Sequence, residues 1–214
     1  MSAISKTKSI DQRDSFSAIR AATGAVLTLW LLTVLILSSR GAFVRPAGSL
    51  PIPILLPIVI PIGLFFLAFR TSHQFKAWIL SLDLRLITGV QAWRFGGFAF
   101  LVLYTLNLLP GYFAWPAGLG DMAIAAAAPF IVASLVRNPE FIRSKRFVIW
   151  NVLGILDLVI AVTMGGLGPI LFHDVNGTAT SLMARLPMSL IPTFFVPIFI
   201  LLHLTALFQR ERGL

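Results

Sequence analysis

The 214-residue sequence contains no cysteine, which excludes disulfides, thiolate metal sites and iron–sulfur clusters. Histidine is nearly as scarce, with His73, His173 and His203 alone. Of these only His203 falls deep in an apolar stretch, so no facing pair exists to ligate a haem. The His173-Asp174 pair likewise has no third ligand at a metal-binding spacing. Charged residues make up 12% of the chain, against roughly a quarter in soluble domains. That leaves too little polar surface to cover a core in water. Also missing are an internal repeat and a small-residue cleavage site after the first apolar run, so that run is expected to stay as a membrane helix. The glycines at 165, 166 and 168 follow an apolar run and open no nucleotide-binding helix. No cofactor is expected.

A formal net charge of +9 is the kind of balance found in nucleic-acid binders. Here the basic residues stand in ones to fours between apolar stretches instead of lining one face, which argues against a nucleic-acid partner. With 57% hydrophobic residues, including 18 Phe and five Trp, the partner that fits is the lipid bilayer.

A helix needs about 20 apolar residues to cross the hydrocarbon. Six windows meet that need, at about 19–39, 53–70, 87–107, 119–137, 147–166 and 187–209. The sequence therefore predicts an all-α polytopic transmembrane bundle: a polar tail over residues 1–17 and one membrane domain over 18–214. The second window carries Pro51, Pro53, Pro57 and Pro61, so its first half must bend or begin late. Between the second and third windows, Phe75, Trp78, Ile79 and Leu82 recur at helical spacing. They fit either a short helix in the membrane interface or an early start to the third span.

Placing both termini in the cytoplasm puts thirteen basic residues on that side: Lys6, Lys8, Arg13, Arg20, Arg70, Lys76, Arg85, Arg137, Arg143, Lys145, Arg146, Arg210 and Arg212. Three lie opposite, Arg40, Arg45 and Arg185, and Arg94 lies within a span. The positive-inside rule favours this orientation, in a bacterial inner membrane. Asn176-Gly177-Thr178 matches a glycosylation sequon, which is set aside for a chain of bacterial character.

A charge at the bilayer centre costs at least about 2.5–3.5 kcal/mol, so those that persist face other helices and have partners. Gln91 and Arg94 on span three, Asn151 and Asp157 on span five and His203 on span six are the candidates for a shared pocket. At a 1.5 Å rise per residue, Arg94 lies about 10 Å from the inner boundary, His203 about 9 Å, Asn151 about 6 Å and Asp157 about 15 Å. They form a slab on the cytoplasmic side, with Arg94 and Asp157 as the natural pair. Such a pair either locks the bundle or lines a pocket for a small solute, an ion or a proton, with His203 as titratable partner. Asp121 and Thr193 are secondary candidates. Thr193 enters because Pro192 and Pro197 deprive the carbonyls of Met188 and Thr193 of helical donors. Free carbonyls in a broken helix can line a cation site, or the prolines simply bend the helix.

Gly118-Leu119-Gly120-Asp121 looks like the signature of intramembrane aspartyl proteases of the presenilin and prepilin-peptidase type. That chemistry needs two carboxylates sharing a proton. In those families the first aspartate precedes this motif on an earlier span, whereas Asp157 follows it. A proline-alanine-leucine element is missing, and Asp121 is expected at the outer start of its span as an ordinary helix-start residue. The small residues Gly96, Gly97, Ala123 and Ala125 to Ala128 form a close-packing surface. That surface suits a homo-oligomer or a non-catalytic subunit of a membrane complex.

From about Leu82 to Gln209 the chain resembles a group of small bacterial integral membrane proteins without an assigned activity. The residues that carry the resemblance are the Arg94 region, Leu109-Pro110, Gly118 to Asp121 with Ala128-Pro129, Trp150-Asn151, and the closing run. That run comprises Leu186-Pro187, Leu190-Ile191-Pro192, Val196-Pro197 and His203-Leu204. The resemblance implies a multi-span membrane fold and no catalytic residues.

Overall fold

The computed structural model describes residues 2–46, 49–174 and 178–212; over 2–15, 178–180 and 212 it describes the helical backbone alone. The sequon residues Asn176 and Gly177 and the side chains of Lys6, Lys8, Arg13 and Arg212 lie outside the described residues.

Among the described residues every regular element is helical. In chain order these are α1 (Ser2–Ser39), α2 (Ile52–Thr71), α3 (His73–Ile79), α4 (Leu84–Gly89), a 3-10 segment (Val90–Gly97), α5 (Phe98–Thr105), α6 (Gly111–Arg137), a 3-10 turn (Pro139–Arg143), α7 (Lys145–Leu171), α8 (Thr178–Met183), a π-helical turn (Ile191–Phe195) and α9 (Val196–Arg212). Among the described residues six stretches are long and apolar enough to cross a membrane: Phe16–Ser39, Ile52–Thr71, Leu84–Thr105, Gly111–Arg137, Lys145–Leu171 and Ile191–Glu211. Lipid explains the exclusive use of helices, because a helix satisfies its backbone donors and acceptors internally.

The surface is inverted relative to a soluble protein. Trp93 is 78% exposed and Phe130 74%, whereas Arg94 is 2% exposed and Asn151 fully buried. The spans differ in how much they contribute to the interior. α1 is peripheral, with Val34 and Ser38 buried on its inner face, and it docks through a Ser38–Ser189 hydroxyl contact of 2.5 Å. Spans three to six form the centre.

Three boundaries differ from the sequence expectation. α6 begins at Gly111, eight residues earlier than expected, directly after Pro110 in extended geometry (φ −74°, ψ 149°). Its glycine- and proline-containing first half reads as a loop by propensity. It stays helical because Phe113, Ala114, Ala117 and Gly118 are buried against neighbouring helices. α7 continues through Gly165, Gly166 and Gly168 to Leu171 for the same reason. The last span begins at Ile191, so Pro187 lies ahead of it.

α3 is a helix of its own, separated from span three by a turn capped at Asp83, whose carboxylate accepts from Arg85 N at 2.8 Å. It packs Trp78 and Ile79 against Phe65, Phe69 and Phe208 at the end of the bundle that holds Phe16 and the last turns of α9. Gln209 closes that end, donating to the carbonyls of Ile79 (3.2 Å) and Leu82 (2.9 Å). At the far end Arg45 donates to Gly166 O at 2.6 Å. Between them lie two apolar layers. One holds Ile87, Leu135, Phe147 and Ala206 on the α3 side; the other holds Phe100, Phe113, Ala114 and Met183 toward the far end. The polar residues sit between these layers.

Candidate functional site

Arg94 organises the site, and the local helix type aims it. In a 3-10 helix every third residue shares a face. Across Val90–Gly97 and into α5, Gln91, Arg94, Gly97 and Phe100 are all buried, while Trp93, Phe95, Gly96 and Phe98 face outward. Arg94 stands midway along its span and reaches across to three other helices.

Its Nε donates to Asp121 Oδ1 at 2.7 Å, and its Nη2 donates to Asp157 Oδ2. Nη1 donates to Gly154 O at 3.1 Å and meets His203 Nε2 at 3.3 Å. Nε and Nη2 present their hydrogens on one edge of the planar fork, the edge one carboxylate would take alone in a bidentate pair. Two aspartates from two helices share it here.

The contact with His203 fixes a proton. Arginine is always charged and only donates, so His203 Nε2 accepts and the proton resides on Nδ1. Nδ1 then donates to Asn151 Oδ1 at 2.9 Å, which orients the amide so that Asn151 Nδ2 donates to Phe147 O at 2.9 Å. Trp150 covers the imidazole edge-on, with ring centroids 5.1 Å apart. Its indole N–H donates to Ile124 O at 3.3 Å. In this arrangement His203 joins Arg94 to Asn151 and orients both.

Glycine makes the room. A Cβ at Gly97 would stand 2.5 Å from Asp121 Cβ, one at Gly120 would overlap the Asp157 carboxylate, and one at Gly154 would overlap the His203 ring. Each of three polar side chains is therefore seated in a gap left by a glycine on a neighbouring helix. Gly154 also bares the carbonyl that Arg94 takes.

The sequence-selected residues sort as follows. Arg94, Asp157, His203 and Asn151 come together in one bonded network. Gln91 does not join it: its Nε2 donates to Phe199 O at 3.2 Å, while its Oε1 and the hydroxyl of Thr88 are buried without a protein partner. Thr193 also stands apart. Its hydroxyl donates to Ser189 O at 2.6 Å, and its carbonyl receives the Trp30 indole N–H at 3.2 Å. The carbonyl of Met188 accepts from Ile191 N at 3.1 Å. Both proline-freed carbonyls are thus occupied by protein donors, and the π-turn absorbs the irregularity.

Asp121 is the largest correction. It lies about 15 Å along the helix axis from Gly111, at mid-depth beside Asp157, instead of at the outer start of its span. Spans three, four, five and six all contribute to the polar layer, with Arg94, Asp121 and Asp157 each near the middle of its span. A sequence signal existed for this. Ala114, Ala117, Gly118, Ile124, Ala125 and Ala128 are the buried face of α6, and Asp121 completes their helical spacing. Asn151, Gly154 and Asp157 recur every third residue on α7 in the same way, which would have drawn attention to Gly154.

Each of the two carboxylates bonds the Arg94 guanidinium, whereas an aspartyl-protease dyad pairs its two carboxyl groups directly with each other. Among the described residues no group of three His, Asp or Glu side chains is placed to hold a metal ion. Two clefts meet at Asp121. One of about 190 Å³ runs between the 3-10 segment and the π-turn, past Trp93, Phe100, Phe195 and Phe199. The other, about 50 Å³, extends toward the far end past Leu158, Gly165, Gly166 and Pro51.

No curated protein and no solved structure matches the chain. A family match covers residues 51–209, from the start of the second span to the end of the last. It takes in every residue of the Arg94 network and leaves out α1, and by it the chain belongs to the family defined by the domain of unknown function DUF8737.

Proposed function

We propose that this membrane protein binds one positive charge, a proton or a small cation, at the Asp121–Arg94–Asp157 site, and that binding serves movement of that ion or of a solute coupled to it. The observation that carries this reading is a charge count. Among the described residues, one guanidinium faces two carboxylates and no further cationic side chain is bonded to them, in an apolar bundle. With both aspartates ionised the site holds one excess negative charge, and an unneutralised charge is costly at this depth. A site whose purpose was only to lock helices together would be complete with one aspartate. His203 and Asn151 support the reading by holding the guanidinium in place without changing the count.

Of the small-residue surface, Gly97, Ala125 and Ala128 are buried within the chain, while Gly96, Ala123 and Ala126 are exposed and would carry any contact with a partner subunit. The test is purified protein reconstituted in liposomes, with proton and monovalent-cation flux followed for wild type and for Asp157→Asn. Infrared spectra of both would show whether a protonated carboxyl is present. Flux in the wild type that is abolished by the variant supports the proposal. A folded wild type with no flux, no protonated carboxyl and no cation-dependent change overturns it.

A further inference from the structure

The larger cleft opens sideways. Its outer lining includes Trp93, 78% exposed, and Phe195, 37% exposed, both on the surface that faces lipid. Gly96 beside them has nothing within 4 Å of where a Cβ would stand, so the mouth is clear. At its inner end the cleft meets Arg94 and Asp121. The path to the site therefore leads from the hydrocarbon of the bilayer, past aromatic rings, to a carboxylate.

Three ligand classes can be weighed against that lining. An anion would meet the Asp121 carboxylate, and a guanidinium four of whose five N–H groups are directed at Asp121, Asp157, Gly154 and His203. A hydrated inorganic cation would have to shed its water along an aromatic wall that offers no set of oxygens in return. An organic cation has neither difficulty. Its charge is diffuse and weakly hydrated, its apolar part partitions into lipid, and aromatic faces attract it once it is desolvated.

We infer that the site takes a hydrophobic organic monocation, an alkyl- or aryl-ammonium small enough for the 190 Å³ cleft, which enters laterally from the bilayer between the 3-10 segment and the π-turn and ends with its charge on Asp121. The inference rests on the charge-deficit reading above and names its ligand. Ligand and proton satisfy the same deficit, so they compete.

The experiment is equilibrium dialysis of purified protein in detergent with radiolabelled benzyltrimethylammonium, using empty micelles as blank. Neopentylbenzene, in which carbon replaces the charged nitrogen, is the neutral isostere. The expected result is saturable binding at one site, tighter as pH rises, weakened at least tenfold by Asp121→Asn and at least threefold by Trp93→Ala, and not displaced by neopentylbenzene. Trp93 lies on the lipid face, so its substitution reports on the cleft without opening the core. Absence of saturable binding, displacement by the neutral isostere, or equal binding by Asp121→Asn overturns the inference. If binding is absent while infrared shows a protonated carboxyl that Asp157→Asn removes, the ligand assignment falls and the charge-deficit reading stands. If both signals are absent, both fall.

Discussion

The carboxylate of Asp157 lies where a side chain at Gly120 would have to be. A single methyl there must displace the carboxylate or push α6 away from α7, and either movement takes Asp157 off Arg94. Separating a buried ion pair costs about 3–5 kcal/mol. Gly120→Ala is therefore expected to lose stability on that scale in equilibrium unfolding in mixed detergents. Gly63→Ala, which meets nothing within 4 Å, is expected to be neutral or to gain up to about 1 kcal/mol from helix propensity. Equal effects at the two positions would mean that the glycine at 120 is not a socket.

The imidazole of His203 makes a second expectation, about a proton. Nitrogen NMR of the protein at neutral pH should show a neutral ring with its hydrogen on Nδ1, because Nε2 faces an Arg94 donor. His203→Phe removes an acceptor from Arg94 and a donor from Asn151, and should cost about 1–3 kcal/mol. Asn151→Leu in that background should cost less than it does alone, since its partner is already gone. A ring protonated on Nε2 would reverse the order of the network.

Much of this fold is legible in the chain because lipid imposes one requirement, about 20 apolar residues per crossing, and all six crossings meet it. Arg94 and Asp157 are legible as partners by the same logic, since a buried guanidinium must be neutralised. Asp121 is legible only once the helix is granted: its spacing from Ala114, Ala117, Gly118, Ile124 and Ala125 turns it inward, but Gly111, Pro116, Gly118 and Gly120 carry the composition of a loop and hold a helix only through packing. The 3-10 geometry is hidden as well. Over eight residues a period of 3.0 differs little from 3.6, although Gln91, Arg94, Gly97 and Phe100 at intervals of three record it. The capture of the Thr193 carbonyl by Trp30 joins residues 163 positions apart and leaves no local trace.

That capture can be tested by restoring what proline took away. Pro197 has no N–H to give Thr193 O, and the Trp30 indole supplies one at 3.2 Å. Trp30→Phe keeps an aromatic ring and removes the donor, so it should cost about 1–2 kcal/mol for an orphaned carbonyl. In a Pro197→Ala background, where a helical N–H is available, the same substitution should cost less than half as much. Additive effects in the cycle would show that the indole contact has no bearing on the broken helix.

The sharpest prediction follows from counting charges. Neutralising one aspartate leaves one guanidinium against one carboxylate, a balanced pair. Asp121→Asn and Asp157→Asn are each expected to stay within about 1 kcal/mol of wild-type stability, because the amide oxygen still accepts from Arg94 and the excess charge is gone. Neutralising both leaves a buried guanidinium without a counter-ion, and the double variant should fall by about 3–5 kcal/mol more than the sum of the singles. Adding Arg94→Gln to the double variant removes the unpaired charge and should recover most of that loss. Mixed-detergent unfolding of wild type and the four variants measures the whole series. If each single substitution already costs the full amount and the double costs their sum, Arg94 needs both carboxylates for structure, and the site has no charge to offer a ligand.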